Sequence, residues 1–101
     1  MDSSKWSRLD LMDQLAHVAS ELVRARHWEE KHDFVSCTKS LERVLELLGL
    51  TLADGRWRKK RKELARLHEL ACDQFTDQKF YEVSLLDLEK YCTVFALYKR
   101  S

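Results

Sequence analysis

No proline interrupts the 101 residues, and glycine occurs only twice, at Gly49 and Gly55. Sheet architectures need frequent tight turns, and tight turns need residues that accept special backbone angles. A chain so poor in breakers has few places to reverse, which points to long helices joined by short links. Hydrophobic residues make up 45% of the chain, enough to build a core once they are gathered on one side of each helix. The expected fold is all-α, a compact antiparallel up-down bundle of four main helices forming one domain over residues 1–101.

The boundaries follow from caps and period. Ser7-Arg8-Leu9-Asp10 has the spacing of a capping box, and Leu11, Leu15, Val18 and Leu22 follow at helical intervals, so a first helix is expected from Ser7 to about Glu30. Lys31-His32-Asp33 reads as a turn, with Asp33 as the next N-cap. In the second helix Phe34, Cys37, Thr38, Leu41, Val44, Leu45 and Leu48 share one face, and Gly49 is predicted to end it in a left-handed conformation. The third is expected from Gly55, capped by Asp54, with Trp57, Leu64, His68, Ala71 and Phe75 inward. Phe80, Tyr81 and Val83 are the expected anchors of a looser connection. A fourth helix then starts at Ser84 with a capping box to Asp87, and its segment 91–98 is apolar almost all the way round.

Charge is balanced overall, at 18 Lys and Arg against 17 Asp and Glu, but it is not spread evenly. Six basic residues, Arg56, Arg58, Lys59, Lys60, Arg61 and Lys62, surround Trp57 at the expected start of the third helix. Twelve cations are then left to face all seventeen acids elsewhere. Positive charge at a helix N-terminus opposes the helix dipole, so stability alone does not put it there. Wheel positions turn Arg58, Lys59, Lys62 and Arg66 outward, with Lys60 and Arg61 at the flank. Two occupants suit such a patch: the phosphates of a nucleic acid, or acidic side chains of a neighbouring helix or protomer, such as Glu29, Glu30, Glu42 and Glu46.

Signals for chemistry are sparse. Arg26 to His32 and Arg61 to His68 fit the Arg-x4-6-His spacing, which resembles the motif of helical RNase domains of the HEPN class. A six-residue offset turns Arg26 and His32 to different faces, whereas the seven-residue offset keeps Arg61 and His68 on one face. His68 as general acid or base with Arg61 on a phosphate is thus a third reading. The bland alternative is a packed histidine satisfied by a carbonyl or by Tyr81 or Tyr91. His68 and Cys72 have the spacing of half a zinc site, but no further ligand follows at a suitable interval, and Cys72 reads as a small core residue. No metal site, cofactor motif or phosphate loop is apparent, and the chain is expected to be non-catalytic.

Asp10 and Asp13 break the only early apolar stretch, and no run approaches the ~18–20 apolar residues of a membrane span. Three widely spaced cysteines suit reduced thiols, so a cytoplasmic protein without a membrane partner is the expectation. Large apolar residues fall on faces that a simple bundle leaves wet: Trp6 and Trp28 on the first helix, and Leu86, Val94 and Leu97 on the fourth. Exposed patches of this kind mark contact surfaces. The reading is a small helical interaction module, most simply a homodimer, with nucleic-acid binding through the basic run as the alternative.

Overall fold

The computed structural model describes residues 3–75 and 83–100, with side chains described for 4–75 and 83–94. The chain is an all-α bundle. Helix α1 spans Ser3–Trp6, α2 Leu11–Glu30, α3 Phe34–Ala53, α4 Arg61–Asp73 and α5 Leu85–Arg100, with a 3-10 segment at Gly55–Lys60 between α3 and α4. Helix α2 is central and packs along both α3 and α5, while α4 lies against α3 and barely meets α5. The links after α2 and α3 are short, so each of these helices is followed by one running back along it. Arg26, late in α2, pairs with Glu89, early in α5, at 3.2 Å, which sets α5 antiparallel to α2. The radius of gyration, 13.1 Å, is that of a compact chain of this length, for which about 13 Å is usual.

The first helix does not start at Ser7. Asp10 takes the N-cap position and accepts from the Asp13 amide at 2.8 Å, while the Ser7 hydroxyl turns back to the Ser4 carbonyl. The expected capping box therefore does not form, and Trp6 sits on a separate short helix rather than on a far face of α2. The core face of α2 is Leu11, Gln14, Leu15, Val18, Leu22 and Ala25, all buried.

The turn after α2 forms where expected. His32 adopts a left-handed backbone, φ 58°, its amide reaches the Glu29 carbonyl, and the Asp33 amide reaches Trp28. This pairing satisfies the last carbonyls of α2 in a Schellman arrangement. Asp33 then caps α3 through the Ser36 amide at 3.1 Å.

Gly49 does not end α3. The helix continues to Ala53, and neither glycine has positive φ. The reason is the face below it: Leu47, Leu48 and Thr51 are buried, so carrying the helix one turn further buries more side chain. The rest of the buried face is Cys37, Ser40, Leu41 and Val44. Phe34 and Thr38, expected inward, are exposed.

In α4 the buried residues are Leu64, Leu67, Leu70, Ala71 and Asp73. The α-helical register begins only at Arg61, after the tighter 3-10 turn, so Trp57 belongs to a different winding and Phe75 falls beyond the helix, exposed. Ser84 and Asp87 form the reciprocal capping box: the Ser84 amide donates to Asp87 Oδ2 at 3.0 Å and the Asp87 amide to Ser84 Oγ at 3.1 Å. Leu85, Leu88 and Cys92 of α5 are buried, and Val83 packs against the core. Phe80 and Tyr81 lie outside the described residues. No helix among the described residues is long and apolar enough to cross a membrane.

Candidate functional site

The basic run is held in place by a buried polar cluster that sequence reasoning missed. Gln14 replaces an apolar residue on the core stripe of α2 and is fully buried. Its Oε1 accepts from Thr51 Oγ1 and from Trp57 Nε1, both at 3.0 Å. Its Nε2 donates to the Trp6 carbonyl at 2.9 Å and to Asp54 Oδ2 at 3.3 Å. Trp6 Nε1 in turn donates to Thr51 Oγ1 at 3.1 Å. One amide thereby ties α1, α2, α3 and the 3-10 segment together, with its hydrogen-bonding groups satisfied, and such networks fix a single arrangement. The signal was available: a glutamine three residues after Leu11 and four before Val18 lies in the stripe.

Arg56 belongs to this cluster. Its guanidinium grips Asp54 from Nε and Nη2, the shorter contact being 2.7 Å, donates to the Leu9 carbonyl at 2.6 Å and lies 4.5 Å over the Trp57 ring. That guanidinium hydrogen bond holds the Asp54 carboxyl below its ordinary range, and the Arg56 amide and Gln14 add to the effect. Asp54 also accepts from the Arg56 amide and so starts the 3-10 segment, as its predicted cap role required.

The other cations stand free of acids among the described residues. Arg58, Lys59, Arg61 and Lys62 are exposed and Lys60 is half-buried. Among the described residues no carboxylate pairs with any of these five. Arg61 reaches only the Leu52 carbonyl, at 3.5 Å. Arg66 is exposed and pairs with Glu69 at 3.8 Å. Among the described residues the one acid paired with the run is Asp54, on Arg56: Glu30 pairs with Arg26, Glu46 with Arg43, and neither Glu29 nor Glu42 forms an ion pair with the run. No side chain caps α4 either, because Lys60 occupies the N-cap. The run is an open cationic ridge.

The apolar residues expected on wet faces divide. Trp6 is core, removed from any surface by the break at Ser7–Asp10. Trp28 is half-buried and packs against the core along the α2–α3 seam. Leu86 and Val94 are exposed, at 38% and 58%. The Leu97 side chain lies outside the described residues.

The two Arg–His pairs are not assembled. Arg26 bridges to Glu30 and Glu89, and His32 sits at the turn with its ring 6.0 Å from that of Phe34. His68 is half-buried, and its contact among the described residues is with Cys72 Sγ, 3.7 Å from Nδ1, while Tyr81 lies outside them. Arg61 points elsewhere. Cys72 is exposed, not a core residue, although partial burial, followed by the Glu69 charge, pushes its thiol pKa up. Burial pushes the Cys92 thiol up to about 12, so it stays protonated. All three cysteines are free, and among the described residues no three metal-ligating groups converge.

No known protein family, curated protein or solved structure matches the chain.

Proposed function

We propose that the protein is a small non-catalytic interaction module whose working surface is the cationic ridge, and that the ridge takes the phosphates of a nucleic acid. The observation that carries this reading is the absence of carboxylate partners for Arg58, Lys59, Lys60, Arg61 and Lys62 among the described residues. The ridge is presented on a segment that the Gln14 cluster holds rigidly. Unneutralised cations cost stability by mutual repulsion, and an anionic partner relieves that cost. Phosphate recognition by Arg and Lys side chains is the chemistry such a ridge supports.

A second reading is self-association, favoured by the exposure of Leu86 and Val94 on α5. It has lost Trp6, and Trp28 is partly committed to the core. Light scattering of the purified protein, alone and with a short single strand or duplex, separates the two. The ridge reading expects a monomer mass that rises by the mass of the added strand. A dimer mass without nucleic acid, unchanged on adding it, supports self-association and removes the ridge reading.

A further inference from the structure

His68 and Cys72 stand one turn apart towards the end of α4, away from the ridge at its start. Neither the ridge nor the Gln14 cluster uses them. Cys72 is exposed and His68 half-buried, so both side chains reach the surface. Thiolate and imidazole are the ligand types that zinc selects.

The distance between them is the informative quantity. Zinc bonds of about 2.3 Å to sulfur and about 2.0 Å to nitrogen, opened to the tetrahedral angle, set the two ligand atoms about 3.5 Å apart. His68 Nδ1 and Cys72 Sγ are 3.7 Å apart. The pair already spans one edge of a zinc tetrahedron, and little side-chain movement closes it on the metal. Its place helps as well, because the last turn of a helix carries partial negative charge, which favours a cation. What one chain lacks is the opposite edge: among the described residues no third ligating group converges on the pair.

The surroundings bear on what supplies that edge. Ala65 lies two turns before Cys72 on the same face, and Phe75 follows just past the helix end. Both are exposed, so a small residue and an apolar one flank the ligands where a second α4 can approach closely. Twofold pairing of two α4 helices through this stripe runs them antiparallel and sets two His–Cys edges face to face. It also keeps the two ridges apart, since Lys62 lies about 15 Å along the axis from Cys72.

We propose that one zinc ion binds between two copies of the chain, held by His68 Nδ1 and Cys72 Sγ from each. Each thiol releases its proton to solvent as its sulfur bonds to the metal, and each histidine coordinates as the neutral ring. The two thiolates then balance the charge of the ion. No ridge residue takes part, so the site stands or falls independently of nucleic-acid binding.

Sedimentation analysis of the full chain in reducing buffer, with and without zinc, tests the proposal. Protein kept in chelator is expected to be a monomer. Zinc should convert it to a dimer that saturates at one ion per two chains and reverts on adding chelator. Cobalt in place of zinc should show thiolate-to-metal charge transfer and the strong visible absorption of a tetrahedral site. Cys72→Ser should abolish the dimer and the charge-transfer band, although Cys37 and Cys92 remain. His68→Gln should weaken zinc binding by more than about a hundredfold, since even outer-shell losses cost about ten- to a hundredfold. Both variants should keep the helical circular dichroism of wild type. Zinc that fails to bind at micromolar concentration, or binds without changing the mass, overturns the proposal. So does a dimer that survives chelator or that Cys72→Ser still forms, or a cobalt spectrum without the sulfur band.

Discussion

The chain reverses after α2 and again after α3, and the two reversals are built differently. The first, at Lys31–Asp33, is a matter of backbone: a left-handed His32, two amide-to-carbonyl bonds and the Asp33 cap. Its flanking apolar residues remain outside, with Phe34 at 62% and Val35 at 69% exposure. The second, at Asp54–Lys60, is a matter of buried side chains, with Trp6, Gln14, Thr51, Asp54 and Trp57 joined through one amide. The first reversal is local and can form as its own residues meet. The second requires α1, α2 and α3 to be in place, so it couples the position of the cationic ridge to the whole fold. Charge is then displayed where the scaffold is most tightly specified, which is where a preorganised binding surface belongs.

The comparison can be broken most severely at Trp6. Trp6→Ala empties a buried site and removes the indole donor to the Thr51 hydroxyl, and is expected to cost about 3–5 kcal/mol in chemical denaturation. Gln14→Leu comes next. It leaves the half-buried Trp57 donor, the buried Thr51 donor and the Trp6 carbonyl with lost partners, for roughly 2–4 kcal/mol. A loss under about 1 kcal/mol would mean that the cluster does not hold the second reversal. At the first reversal the expected effect changes sign. His32→Gly removes left-handed strain and should raise stability by about 0.5–1 kcal/mol. Val35→Lys, on the exposed flank, should stay within about 0.5 kcal/mol of wild type.

Acid sharpens the same contrast. Hydrogen bonds from Ser36, chiefly its amide, hold Asp33 below its ordinary pKa, and the Arg56 side chain does the same for Asp54. Both carboxylates have a lowered folded-state pKa, so their stabilisation is present above the unfolded value, about 3.9, and is lost as pH falls through the folded value. Asp33→Asn and Asp54→Asn should each flatten the fall in thermal midpoint below about pH 4. Only Asp54→Asn should also loosen the ridge, seen as faster amide exchange at residues 56–60.

The helices were legible because burial on one face imposes a 3.6-residue period, and Leu15, Val18, Val44 and Leu64 obey it. The caps at Asp33 and at Ser84–Asp87 were legible because capping depends on neighbours in sequence. What escaped depended on distant residues. Gly49 looks like a stop signal until the buried Thr51 beyond it is known, and Trp6 looks displaced until the break before Asp10 separates it from α2. The outward direction of Lys62 and Arg66 followed from α-helical geometry; Arg58 and Lys59 are exposed as well, but on the 3-10 segment, to which that geometry does not apply. The partners of Arg56, namely Asp54, Leu9 and Trp57, were not legible, because they come together only in the folded chain.

The central claim is that the open cations of the ridge meet phosphate. Fluorescence anisotropy of a labelled oligonucleotide across a salt series tests it most directly, with wild type beside Lys59→Glu/Lys62→Glu. About three or four phosphate contacts should give a log–log salt slope near −3. The double variant should lose binding to every sequence while its thermal midpoint moves little. Wild-type protein that binds no nucleic acid at micromolar concentration and low salt, or a double variant that unfolds or changes mass, would contradict the claim and return the ridge to contacts between protein chains.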